Sequence, residues 1–128
     1  IVVSAENGMD EASLAGNNSF VLLDHGDIVP FKLSAEDVGL KSQPISAIRG
    51  GNATENAVIL RELLDGKQSP YFDTVIFNAG IALFAYGLVD KMKDGIELAR
   101  ESIFSGKAKS KLEAVISYSE FKKEAGAR

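Results

Sequence analysis

The spacing of apolar and polar residues changes along the chain, from a period of two to a period near four. Ile1-Val2-Val3 is a short β-branched run that stops at Ser4 and meets Glu6-Asn7-Gly8, the pattern of a buried strand entering a tight turn. Two longer runs, Ser19 to Leu23 and Ile28 to Leu33, flank Asp24-His25-Gly26-Asp27, which predicts a β-hairpin. Pro30 has no N–H to donate, so its strand belongs at a sheet edge. Ser34-Ala35-Glu36-Asp37 has the spacing of a capping box, placed before a short helical turn that Gly39 closes.

From Arg49 onward the pattern is helical. Asn52, with Glu55 three residues later, predicts a capped helix with the apolar stripe Val58, Ile59, Leu60, Leu63 and Leu64, stopped by Gly66. Ser69-Pro70 opens a second helix through Val75, Ile76, Ala79, Leu83 and Phe84 toward Gly87, apolar nearly all round and so expected to be buried. A third is expected from Asp94, carrying Ile96, Leu98, Ala99, Ser102 and Ile103, up to Gly106. In the last, Leu112, Val115, Ile116 and Tyr118 are expected to face inward, ahead of a frayed or polar tail from Phe121 to Arg128. The fold class expected is α/β: a short β and hairpin region followed by about four helices.

Composition removes several kinds of chemistry. With 128 residues and 13.7 kDa the chain suits one domain or less, folding from about 20,000 Å² of exposed surface to about 6,600 Å². There is no cysteine, which excludes disulfides, zinc–thiolate sites, iron–sulfur clusters and thiol nucleophiles. The single histidine, His25, cannot form a His-rich metal site and, in a hairpin turn, is expected to face solvent. A net charge of −4 and a pI near 5.0 argue against nucleic acid and anionic membranes as partners, because neutralising phosphates needs a basic surface. The longest apolar stretch, Thr74 to Tyr86, falls short of a membrane span, and nothing resembles a secretory signal, so the expected location is the cytoplasm. A start at Ile1, inside an expected strand, suggests that the chain begins part-way through a longer polypeptide.

The most informative local feature is Gly8-Met9-Asp10-Glu11. On a regular strand adjacent carboxylates point to opposite faces, whereas a turn at Gly8 lets both reach one side. Such a pair is either a solvated surface dipeptide or part of a Mg²⁺ site completed by phosphate oxygens and water. A set of further motifs bears on the choice: Arg49-Gly50-Gly51-Asn52-Ala53-Thr54-Glu55-Asn56-Ala57, Leu63-Leu64-Asp65-Gly66, Asn78-Ala79-Gly80-Ile81-Ala82-Leu83 and Gly95-Ile96-Glu97-Leu98-Ala99-Arg100-Glu101-Ser102-Ile103. In this order, together with Asn7 to Glu11, they resemble the carboxy-terminal part of the anthranilate phosphoribosyltransferase family over nearly the whole chain.

The resemblance implies transfer of a phosphoribosyl group from phosphoribosyl pyrophosphate to anthranilate in tryptophan biosynthesis, by a two-domain enzyme usually assembled as a homodimer. Residues 1–128 would form the C-terminal part of its α/β domain, of the phosphoribosyltransferase and nucleoside-phosphorylase type. The family's amino-terminal helices, its Gly-Thr-Gly-Gly-Asp phosphate loop and its Asn-x-Ser-Thr-Lys segment have no match here, so these residues alone are expected to be inactive. One site carries over: Asp10 and Glu11 resemble the family's Mg²⁺-binding pair. A related pyrimidine nucleoside phosphorylase is a second reading, against which the Gly50 to Ala57 run speaks. A non-enzymatic relative that binds nucleic acid is a third and would need a basic stripe.

The remaining polar residues have structural readings. Gly50-Gly51 lacks the Lys-Ser or Lys-Thr of a P-loop and is expected to be a turn feeding the Asn52 cap. Asn56 and Asn78, within helices, are expected to be buried amides bonded to backbone. Lys107, Lys109 and Lys111 form a solvated face near Glu113, and Arg49 is placed to pair with Glu55.

Overall fold

The computed structural model describes residues 1–126 and has the expected order of elements, a β region followed by helices. Strands β1 (Val2–Ala5), β2 (Asn17–Asp24) and β3 (Asp27–Ser34) form one antiparallel sheet in the order β1-β2-β3. Pro30 is on the edge strand, opposite Val21. The hairpin turns on His25-Gly26, both with positive φ (48° and 98°), the combination that a two-residue turn matching the strand twist requires. His25 is exposed, as expected, with Nδ1 2.6 Å from the Asp24 carboxylate. One sheet face is buried: Phe20 pairs across the ladder with Val3 and Phe31, and the two phenyl rings stack at 5.0 Å.

The capping box at Ser34 is present. The Ser34 N–H and hydroxyl both donate to Asp37 Oδ2 at 2.8 Å, while the Asp37 N–H donates back to Ser34 Oγ. The backbone N–H and then the hydroxyl hold the Asp37 carboxyl below the usual carboxylate range. A short 3₁₀ turn, Glu36–Val38, follows and ends at Gly39 in the left-handed conformation.

Helices α1 (Ala53–Leu64), α2 (Pro70–Ala85), α3 (Met92–Phe104) and α4 (Lys107–Gly126) complete the chain. Asn52 and Glu55 form the reciprocal cap expected for α1, and Ser69 caps α2 with Pro70 at its first position. The main core lies between α2 and α3, where Phe72, Ile76, Phe77, Ile96 and Ile103 are buried and reach across to Leu14, Phe20 and Leu40. Their crossing depends on two glycines. A Cβ on Gly80 would stand 2.6 Å from Ile96 Cγ1 and 2.7 Å from its backbone nitrogen, and the space at Gly95 is closed by the Gly80 carbonyl. The guanidinium of Arg100 lies 5.6 Å from the centre of the Phe72 ring.

Several expectations are corrected. In α1 only Leu63 of the predicted stripe is buried, while Val58 and Leu60 face solvent. Helix α2 is not buried all round, since Val75 is exposed; its opposite face packs on α3 and nothing among the described residues covers this one. Helix α3 begins at Met92 rather than Asp94, because Met92 is itself a core residue that holds the first turn. Val115, Ile116 and Tyr118 of α4 do not face inward, because among the described residues α4 packs on the core near its start, around Ala108. The tail expected from Phe121 is helical through Gly126, and 127–128 lie outside the described residues. Arg49 does not pair with Glu55, whose carboxylate accepts the Asn52 N–H at 2.8 Å. Lys109 pairs with Asp65 at 2.6 Å, which raises its pKa.

Candidate functional site

Asp10 and Glu11 lie on the loop that leaves the carboxyl end of β1, both exposed and outside any strand or helix. The loop opens with a tight turn in which the Gly8 N–H donates to the Ala5 carbonyl at 3.0 Å and the Ala5 N–H to the Met9 carbonyl at 2.9 Å. Gly8 has φ 90°, a conformation costly for any side chain with a Cβ.

Three asparagines hold the loop. The Ala12 N–H donates to Asn78 Oδ1 at 3.0 Å, and Asn78 Nδ2 donates to the Ala12 carbonyl at 2.9 Å and to the Thr74 carbonyl at 3.0 Å. The residue after Glu11 is thereby fixed to the middle of α2. Buried Asn18 accepts the Ser13 N–H at 2.7 Å and donates to the carbonyls of Ser13 and Leu33, tying the far end of the loop to the sheet. Asn7 donates to Ser13 Oγ at 2.8 Å and closes the base. Ala12, Ser13 and Leu14 are buried, so the exposed carboxylates sit on an anchored platform.

Asn78 thus has the expected backbone-bonding role, part-buried. Asn56 also bonds backbone, exchanging two hydrogen bonds with Gly51, but it is exposed. That exchange occupies the Gly51 amide and keeps Gly50-Gly51 a turn rather than a phosphate cradle. Asn7, Ser13 and Asn18 are new to the site. Asn18 had a sequence signal, since it shares the inward alternation of Phe20 and Leu22.

Glu6, the other carboxylate near the turn, is committed elsewhere: Lys32 Nζ donates to it at 2.6 Å and holds its pKa low. Asp10 and Glu11 have no ion pair among the described residues, and no group of three or more His, Cys, Asp or Glu that could hold a metal gathers there. The donor set is therefore two hard carboxylates, which fits an ion that takes its other ligands from phosphate and water. Met9 also lines a shallow depression of about 370 Å³ with Ile45, Ser46, Ile48 and Arg49, so the loop stands beside the turn that enters α1.

Residues 1–109 match the family model described as "Glycosyl transferase family, a/b domain", and the chain belongs to that family. Within it, the similar proteins are anthranilate phosphoribosyltransferases. The one from Exiguobacterium sibiricum is 57% identical over 113 residues, covering 88% of this chain and 33% of the relative. The crystal structure of the Thermus thermophilus enzyme superposes with a TM-score of 0.82 at 38% identity, over 91% of this chain and 34% of that one. The Saccharomyces cerevisiae enzyme, solved in complex with PRPP and Mg, superposes with a TM-score of 0.79 at 31% identity, over 87% of this chain and 32% of that one. The chain spans about a third of the length of the relatives it matches.

Proposed function

We propose that this chain forms the metal-holding part of an anthranilate phosphoribosyltransferase, which transfers a phosphoribosyl group from phosphoribosyl pyrophosphate to the amino nitrogen of anthranilate and releases pyrophosphate. The observation that carries the reading is that Asp10 and Glu11, adjacent in sequence, are both exposed on a loop that Asn78 and Asn18 fasten to helix and sheet. Asp10 and Glu11 would hold Mg²⁺, which when bound supplies positive charge against the leaving pyrophosphate. The chain's own part is positioning. The anchored loop holds both carboxylates in place before substrate arrives, so little reorganisation is needed as charge develops. No side-chain nucleophile is required, because the attacking group is the amine of the substrate.

In this reading residues 1–128 are the C-terminal part of the α/β domain of a cytoplasmic homodimer. The helical domain and phosphate loop lie outside them, and the segment alone is inactive. The test is a chimera in which residues 1–128 replace the matching third of the Exiguobacterium enzyme. Asp10→Asn with Glu11→Gln should lower the rate about a hundredfold, equivalent to about 3 kcal/mol of lost electrostatic stabilisation. It should also raise the Mg²⁺ concentration at half-maximal rate, with the unfolding midpoint unchanged. Equal rates and equal Mg²⁺ dependence would return the pair to a solvated surface dipeptide.

A further inference from the structure

Asn7-Gly8 is the only asparagine–glycine pair in the sequence, every other asparagine being followed by a residue with a Cβ. The pair matters chemically. The backbone nitrogen of the residue after an asparagine can attack the side-chain amide at Cγ, and glycine, without a Cβ, hinders that approach least. Asn7 and Gly8 are both exposed, on the turn that leads to Asp10 and Glu11. The other asparagines lie in regular structure or at its edge: Asn17 and Asn18 are in β2, Asn56 and Asn78 are within helices, and Asn52 caps α1.

The folded turn keeps both reacting groups occupied. The Gly8 N–H donates to the Ala5 carbonyl at 3.0 Å. Asn7 Nδ2 donates to Ser13 Oγ at 2.8 Å and to the Ala15 carbonyl at 3.2 Å, while Asn7 Oδ1 accepts the Met9 N–H at 3.2 Å. Ser13 is buried, and its Oγ also accepts the Ala15 N–H at 3.0 Å, so the partner of the amide is itself fixed. The attacking nitrogen must give up its hydrogen bond, and the departing amide its own, before a ring can close. Ring closure therefore waits on a local opening of the loop, and an exposed turn opens at far lower free energy than the whole fold.

We propose that Asn7 is a spontaneous modification site, where the side-chain amide is lost through a cyclic imide when the carboxylate loop opens, and that Ser13 sets how often this happens. The Gly8 nitrogen gives its proton to solvent base as it bonds to Asn7 Cγ; the Cγ–Nδ2 bond breaks, and Nδ2 takes up a proton and leaves as ammonia. Water then opens the imide at either carbonyl. One opening leaves an aspartyl residue at position 7, and the other an isoaspartyl link in which the main chain runs through the side-chain carbons and gains a methylene. Both products add a negative charge close before Asp10 and Glu11 in the sequence. The aspartyl product also sets a carboxylate against the Ala15 carbonyl, which loses its donor, and the isoaspartyl product lengthens the turn that the Gly8 and Ala5 N–H groups close. Either change loosens the base of the loop. The chemistry involves neither Mg²⁺ nor phosphoribosyl transfer, so the proposal is independent of the transfer reading.

The test follows the Asn7 amide by peptide mass mapping, with fragmentation that resolves position 7, in residues 1–128 and in the chimera. Both are kept in mildly alkaline buffer with and without unfolding concentrations of guanidinium chloride. Amide loss should give two products of equal mass that separate by chromatography, and it should be at least about tenfold slower in the folded protein than in the unfolded one. Ser13→Ala should speed the loss in the folded protein about fivefold, the rate equivalent of one hydrogen bond of about 1 kcal/mol, and leave the unfolded rate unchanged. Should Ser13→Ala fail to fold, the unaltered protein is read in guanidinium below its unfolding transition, where the loss should accelerate before the circular dichroism changes. Retention of the Asn7 amide in the unfolded chain, equal loss with and without denaturant, or a folded Ser13→Ala protein no faster than the unaltered one would each overturn the proposal.

Discussion

The Asn78 side chain makes three hydrogen bonds, two of them with the backbone of Ala12, 66 residues away, and one with the Thr74 carbonyl. Each such bond contributes about 1 kcal/mol net, and a part-buried amide left without partners costs more. Asn78→Ala should therefore lower stability by about 2–3 kcal/mol in urea unfolding. Because the same bonds seat the residue next to Glu11, it should also raise the Mg²⁺ requirement of the chimera, an effect that a purely structural core residue would lack. Asp73 carries the opposite kind of strain. Burial raises its pKa, and the nearby Arg100 only partly offsets this. The folded chain then holds the Asp73 proton more tightly than the unfolded chain. This group's effect on stability is most favourable below the unfolded pKa, near 4, and is lost as pH rises through the raised folded value. Asp73→Asn should raise the thermal midpoint at pH 7 and leave it unchanged at pH 3; equal shifts at both would exclude a titration origin.

At the scale of elements, the α2–α3 crossing holds most of the largest fully buried side chains, Phe72, Ile76, Phe77 and Ile96. Ile76 is fully buried there, so Ile76→Ala should cost about 2–5 kcal/mol through lost burial and a residual cavity. Leu83, half-buried at the edge of this core, should cost less. Gly80→Ala sets two effects against each other. Alanine favours a helix interior by about 1 kcal/mol over glycine, but here its methyl would meet the Ile96 backbone at 2.7–2.9 Å. Backbone cannot yield as a side-chain tip can, so the clash should win and the net change should be destabilising by about 1–3 kcal/mol. An unfolding midpoint that rose would mean that the helices can separate without loss. At the start of α1, Asn52→Ala should cost about 1 kcal/mol by freeing the N–H groups of Thr54 and Glu55.

The whole molecule has one continuous core and several bare apolar faces. Its inner sheet face and the α2–α3 joint make one continuous core, whereas the outer sheet face, the exposed side of α1 and most of α4 bury little.

Local chemistry was readable from the residues because short-range physics decides it. The His25-Gly26 hairpin, the edge position of Pro30, the caps at Ser34, Asn52 and Ser69, and the stops at Gly39 and Gly66 all depend on groups within a few residues of one another. The motif order likewise pointed to the family that residues 1–109 match, and the placement of Asp10 and Glu11 on an open loop followed from Gly8. Which apolar stripes became core did not follow. Val58, Val75, Val115 and Ile116 satisfy the helical period as well as Ile76 or Ile96 do, but period marks only the face that seeks burial, and a partner must be present to bury it. The anchoring of the carboxylate loop by Asn78 and Asn18, and the glycine contact between α2 and α3, were decided by tertiary structure alone. An amide's hydrogen-bond partners, or the space left for a missing Cβ, come from segments far apart in the chain that meet only when it folds.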